Sequence, residues 1–383
     1  MRLRVAPHAG SGRRGVAGVN GGAVESVSLS ATLSTLRTAC PFPVLEDFRP
    51  PRWLRSHHLQ SMLASTFVRR RRILRRAAPL LAAGRELLLD CGDGVRLQCF
   101  VSSPVPAEGG PVVLLHGWEG SAESLYVLSL AQQLYERRFE VVRLNLRDHG
   151  DTHHLNRGLF HSCRLPEVIG AVRALQARFA GRPLTLVGFS LGGNFFLRVA
   201  ARARAEGLVL ARVIAVSPVL EPAETLEALE RSMPGYERYF VRKWRRSLRR
   251  KALAWPGSYD FRALRRLGKL RNMTAELVRR HSEFASLEEY LAGYAITGER
   301  LAPLEVPAEI ITALDDPMIP VGGLARLARP AALAVTVTRY GGHCGFIDRL
   351  GGSTWAERHI LARLGAVASA HAAAQVVRRG EPG

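Results

Sequence analysis

The amino-acid sequence predicts an α/β fold, a mostly parallel central sheet flanked by helices and carrying a helical insertion. Three observations support this expectation. Six short apolar, β-branched runs recur along the chain, at 111–117 (PVVLLHG), 140–147 (EVVRLNLR), 183–190 (PLTLVGFS), 211–219 (ARVIAVSPV), 307–316 (PAEIITALDD) and 331–340 (AALAVTVTRY). Helically patterned stretches at 122–137, 164–180, 191–206 and 322–328 separate most of them. Such alternation implies right-handed crossovers and a parallel sheet covered on both faces. From 221 to 303 there is no strand pattern but several amphipathic helical stretches, which predicts an insertion at the rim of the sheet, where a lid would sit.

Taken in order, residues 1–44 are rich in Gly and Arg without apolar periodicity and read as a disordered tail. Residues 45–85 form a structured N-terminal arm, with Trp53, Leu54, Leu59 and Met62 at roughly helical spacing and then six arginines in the eight residues 69–76. The core covers 86–220 and 304–378. It opens with two strands joined at Gly92-Asp93-Gly94, a tripeptide that supplies the positive φ of a tight hairpin. It closes with an Ala-rich helix over about 353–377.

Composition bounds the function. With 383 residues, 47% apolar, 23% charged and a mean hydropathy of +0.00, the chain is long and apolar enough to bury a large core, which excludes a disordered or collagen-like protein. Its formal charge, 54 − 33 = +21, is almost all arginine, since Lys243, Lys251 and Lys269 are the lysines. A GC-rich codon bias accounts for that as readily as an acidic partner does. No nucleic-acid-binding module is recognisable, so no nucleic acid partner is expected. Five cysteines without a CxxC pair signal neither a disulfide framework nor a zinc ribbon. Without an 18-residue apolar run or a compact signal-peptide core, the expectation is a cytoplasmic protein.

Gly188-Phe189-Ser190-Leu191-Gly192 is a GxSxG motif between a predicted strand and a predicted helix, the context in which it marks a nucleophile elbow. The turn strains the serine and leaves no room beside it for side chains, hence the glycines. It projects the Ser190 hydroxyl into a cleft and sets the Leu191 N–H at a helix N-terminus, where it can stabilise an oxyanion. A serine hydroxyl needs a base, and the base needs an orienting carboxylate. Downstream, Asp315 and Asp316 end one strand and His343 follows the next, all at strand ends that can converge on one side of an open sheet. The Asp-x-x-x-Pro spacing of Asp316 and Pro320 selects Asp316, leaving Asp315 as a cap or supporting group. The turn after VVLLHG supplies the second oxyanion donor, the backbone N–H of Trp118.

Two further segments carry chemistry on paper. Asp148, His149, Asp151, His153 and His154 crowd one loop with metal-ligand composition, but no distant carboxylate or thiolate completes a recognisable spacing, and the loop reads as polar rim without a metal. RYFVRKWRRSLRRK puts Phe240, Val241, Trp244 and Leu248 on one stripe and basic residues on the other. It reads as a lid helix with solvated arginines, and a peripheral contact with anionic membrane is the alternative.

At HGWEGS, GFSLGGN, ALDDP and GGHCGFI the chain resembles the YheT-like subgroup of the α/β-hydrolases, bacterial relatives of the animal abhydrolase-domain esterases and phospholipases. RWLRSHHLQSM resembles that subgroup's N-terminal signature. The similarity runs from about Phe48 to Ile347 and beyond. It implies an α/β-hydrolase fold and a serine esterase with the triad Ser190, Asp316 and His343, acting without a cofactor on a small-molecule or lipid ester. An acyltransferase using the same triad and a non-catalytic binding protein on this fold are the alternatives. The chain departs from the subgroup at Arg147-Asp148-His149-Gly150-Asp151, where an Arg-Gly-x-x-Gly pattern is usual, and in GYAITGERL.

Overall fold

The computed structural model describes residues 40–64 and 67–365. Residues 1–39, expected as a tail, and 366–377, expected as the end of the Ala-rich helix, lie outside them. A single sheet of nine strands organises the chain: β1 (Val44–Leu45), β2 (Gly84–Asp90), β3 (Arg96–Ser102), β4 (Pro111–Leu115), β5 (Glu140–Leu144), β6 (Leu184–Phe189), β7 (Leu210–Val216), β8 (Ala308–Ala313) and β9 (Leu333–Thr338). Their spatial order is β1-β9-β8-β7-β6-β4-β5-β3-β2, parallel from β1 to β5 and antiparallel only where β3 joins β5 and β2 joins β3.

The central strands are apolar throughout because helices cover both faces. Every residue of β4, β6 and β8 is buried. One face carries helices Leu165–Arg178 and Leu191–Arg202. The other carries Phe67–Ala82 and Leu125–Glu136 together with the helix at 355–365. Two details differ from the sequence expectation. The tail boundary at 44 falls inside β1, whose Val44 pairs with Val337 in β9, so the sheet claims the chain from Val44 onward. The segment expected as helix at 322–328 is a 3₁₀ helix, Val321–Arg326, because two glycines and the residues around Pro320 allow only the tighter turn.

Between β7 and β8 lie the helices Pro222–Arg231, Pro234–Ala254, Arg262–Arg266, Leu270–His281 and Leu287–Gly293, which cap the C-terminal ends of the parallel strands. The basic helix Pro234–Ala254 buries Val241 and Leu248, and Trp118 stacks on Phe240 with ring centroids 5.3 Å apart and meets Trp244 edge-on. Its apolar stripe therefore faces the core, as its periodicity predicts. The reading of its arginines as solvated does not extend to its two lysines. Lys251 is only 1% exposed and donates to Asp148 Oδ1 (2.8 Å) and to the carbonyls of Asn156 and Gly158, while Lys243 donates to the Glu119 carbonyl. No described helix is long and apolar enough to cross a membrane.

Candidate active site

Four parallel strands deliver the site from their C-terminal ends, the edge at which open α/β sheets bind ligands. Ser190 follows β6 with φ 52° and ψ −118°, a strained conformation held on both sides. A Cβ on Gly188 would stand 2.4 Å from the Gly192 carbonyl oxygen, and one on Gly192 would stand 2.5 Å from the carbonyls of Leu115 and His116. Any larger residue at either position would push the turn off the strand. Ser190 N–H is tied to the Val216 carbonyl, which fixes the elbow against β7.

His343, in the loop after β9, brings Nε2 to 3.0 Å from Ser190 Oγ and Nδ1 to 2.9 Å from Asp316 Oδ2. Asp316, after β8, accepts at Oδ1 from the N–H groups of Met318 and Ile319 (2.9 and 3.0 Å), so its carboxylate cannot swing away. The partners assign the proton to Nδ1 and leave Nε2 free to accept from Ser190. Burial disfavours the charged ring, but the Asp316 carboxylate and its hydrogen bond outweigh this and raise the His343 pKa well above 6.5.

The neighbouring Asp315 does different work. Its Oδ1 accepts from Gly342 N–H at 2.8 Å, tying the histidine loop to β8, while its Oδ2 is buried without a partner. Burial pushes this carboxyl up to about 7, the Gly342 bond opposing and the Asp316 charge adding to the rise. Two adjacent aspartates thus occupy opposite environments.

Around the expected oxyanion donors, hydrogen-bond accounting is informative. In the loop after β4, Gly117 N–H goes to Tyr126 Oη (3.1 Å), Glu119 N–H to His149 Nε2 (3.1 Å) and Gly120 N–H to the Gly117 carbonyl. Trp118 N–H between them has no acceptor among the described residues, and Leu191 begins a helix, where the N–H groups lack intrahelical acceptors. Gly117 packs against the nucleophile, since a Cβ there would lie 3.0 Å from Ser190 Cβ.

The crowded loop at 148–154 is committed to structure. Asp148 takes Lys251 and, at Oδ2, the Phe160 N–H; His153 Nε2 meets Ser247 Oγ at 2.9 Å; Asp151 pairs with exposed Arg250. Burial lowers His149 to about 4, so it is a neutral ring, donating from Nδ1 to the Arg147 carbonyl and accepting from Glu119 at Nε2. It packs at a tilt against the buried, neutral His116, which donates from Nδ1 to the Gly117 carbonyl and accepts from Leu146 N–H. The two imidazoles clamp the turn that presents Trp118.

Sequence reasoning missed the part played by the arm. Gln60, wholly buried, donates to the carbonyls of Leu54 (2.7 Å) and Ile347 (2.8 Å) and accepts from Ile347 N–H (2.7 Å). Ser61 Oγ accepts from His343 N–H (2.8 Å) and donates to the His57 carbonyl (2.7 Å). The HLQS run was visible as a motif, but its chemistry was not, because the partners that tie it to the site, His343 and Ile347, stand more than 280 positions away.

Ser190 and His343 open into a cavity of about 970 Å³. Its walls come from the arm (Met62, Leu74, Leu81), the core (Trp118, Leu128, Phe189) and the insertion (Leu229, Phe240, Leu277), and they are largely apolar.

A strained serine at a strand-to-helix elbow, bonded to a histidine and an aspartate from the ends of later strands under a helical cap, defines an α/β hydrolase. The comparisons agree: the α/β-hydrolase-fold family matches residues 110–350, and the chain belongs to it. Within that family it is YheT-like. It is 27% identical over 318 residues to "Putative esterase YheT" of Escherichia coli (strain K12), covering 82% of this chain and 91% of that protein. It is also 23% identical over 331 residues to an abhydrolase domain-containing protein of Dictyostelium discoideum, covering 81% and 79%. Among solved structures, a membrane phospholipase A described as a bacterial virulence factor aligns over 79% of this chain and 93% of its own, with a TM-score of 0.48 and 20% identity, a likeness of fold alone.

Proposed function

We propose that this protein is a serine hydrolase of carboxylic esters whose acyl or alcohol portion is apolar. The observation that carries the reading is the His343 ring, 3.0 Å from Ser190 Oγ on one side and 2.9 Å from Asp316 on the other. In this reading His343 Nε2 takes the Ser190 proton as Oγ attacks the ester carbonyl carbon, and Asp316 stabilises the imidazolium. The carbonyl oxygen becomes an oxyanion bonded by the N–H groups of Trp118 and Leu191, each donor contributing about a hundredfold or more in rate. Collapse expels the alkoxide, which receives the proton from Nε2 and leaves an acyl-Ser190 ester. His343 then deprotonates a water that attacks this ester, releasing the acid and restoring Ser190. The apolar cavity walls suit a hydrocarbon substituent.

Replacing Ser190 with Ala is expected to lower turnover of p-nitrophenyl butyrate by at least about 1,000-fold while leaving the unfolding midpoint in place. A fluorophosphonate probe should label the native chain at Ser190. Retained turnover in the variant, or labelling elsewhere, refutes the assignment.

A further inference from the structure

The cavity mouth combines two features that the catalytic reading does not use. Met62 on the arm and Met233 at the start of the basic helix are 55% and 52% exposed, Tyr239 is also exposed, and all three line the cavity where it meets solvent. Exposed Arg70 stands among them. On the same basic helix Arg238, Arg242, Arg246 and Arg249 are exposed, and their i, i+4, i+8, i+11 spacing sets them in one row.

None of these four arginines has an ion-pair partner among the described residues. Elsewhere on the insertion several arginines are paired, Arg231 with Glu227, Arg262 with Asp260, Arg271 with Glu230, and Arg279 and Arg280 with Glu276, while exposed Arg265 and Arg266 have no ion pair among the described residues. Like charges at i, i+4 also destabilise a helix, so the row works against its own fold and calls for an external anion. The single acid of this helix, Glu237, is turned inward to Lys269 and the Leu270 N–H.

We infer that the mouth of the cavity docks on an anionic lipid bilayer, with the arginine row on the phosphate plane and Met62, Met233 and Tyr239 entering the interface. Exposed apolar side chains at the cavity, beside a helix that carries a row of cations, match an interface that is both charged and oily, whereas a free polyanion would use only the charges. Docking also explains how an apolar substrate reaches an apolar cavity without crossing water. The inference rests on the ester-hydrolase reading for the substrate it delivers, but the docking contact itself needs no catalysis.

The test is vesicle flotation of the full chain and of its Ser190→Ala variant, which separates docking from turnover. Both should float with phosphatidylcholine vesicles containing phosphatidylserine, remain behind with phosphatidylcholine alone, and be released at high salt. A variant with Arg238, Arg242, Arg246 and Arg249 changed to Gln, checked by circular dichroism, should keep native turnover of a short soluble ester. Its partition should fall by about 25-fold or more, at about fivefold per arginine engaged and at least two engaged. Absence of flotation, equal flotation with neutral vesicles, unchanged flotation of the quadruple variant, or equally tight binding to an RNA duplex overturns the proposal. Loss of ester turnover in the unsubstituted protein with salt-sensitive flotation intact would overturn the catalytic reading alone.

Discussion

The adjacent aspartates offer a prediction in which stability and activity separate. Burial pushes Asp315 up to about 7 in the folded protein, against 3.8 for an ordinary aspartate side chain. The folded state therefore holds this proton more tightly than the unfolded chain does. Its contribution is complete below about pH 4 and is lost as pH rises through 7, about 4 kcal/mol at the upper limit of 1.36 kcal/mol per unit. Asn at 315 keeps the oxygen that accepts from Gly342 N–H and carries no charge at any pH. Its amide also meets the place where Oδ2 has no partner, a penalty that does not vary with pH. Urea unfolding at pH 5 and pH 8.5 should thus show a steep loss of stability in the native protein, and a loss smaller by about 2–3 kcal/mol in Asp315→Asn, the part of the titration that falls between those two pH values. Turnover in Asp315→Asn should stay within about tenfold of native. Asp316→Asn keeps the bonds from Met318 and Ile319 but removes the charge that orients and raises His343. Its turnover should fall by about 10³–10⁴-fold. The acid limb of kcat/KM, above pH 6.5 in the native protein because activity needs the neutral ring, should move downward. Equal pH slopes for the native protein and Asp315→Asn would refute the burial argument. An Asp315→Asn enzyme as inactive as Asp316→Asn would refute the choice of triad acid.

Two other substitutions probe the supports of the site. Gln60→Leu strands three backbone groups, the Leu54 and Ile347 carbonyls and the Ile347 N–H, and should cost about 3 kcal/mol or more in denaturant unfolding, with a loss of turnover that exceeds any change in KM. A stability change under about 1 kcal/mol would show that water replaces the side chain there. Lys251→Met leaves Asp148 buried without its cation and should cost about 3–5 kcal/mol, much of it recovered when Asp148→Asn is added; a double variant as unstable as the sum of the singles would deny the coupling.

How much of this was legible in the sequence follows from the range of each interaction. The strand runs, the elbow and the order Ser190, Asp316, His343 depend on local patterning and on strand ends, which a linear sequence displays. The choice of Asp316 over Asp315 rested on a five-residue spacing; the structure sets Asp316 Oδ2 2.9 Å from His343 Nδ1 and Asp315 Oδ1 on the Gly342 N–H. The loop at 148–154 shows where composition misleads. Its histidines and aspartates look like ligands in one dimension, but Asp148 is matched by Lys251, 103 positions away, and His149 serves the turn at Trp118. A buried ion pair needs both ends identified before either is informative, and nothing local marks Lys251 as the one buried cation of an otherwise solvent-facing basic row.

The arm carries the argument one step further. Ser61 holds the His343 backbone, Gln60 holds Ile347 four residues on, and His58 Nδ1 lies 3.1 Å from the hydroxyl of Tyr236 at the start of the basic helix. One short helix, His57–Leu63, thus touches both the loop that aims the general base and the insertion that roofs the cavity. The arm between β1 and β2 is thus in contact with both the His343 loop and the insertion, through Ser61 on one side and His58 and Tyr236 on the other.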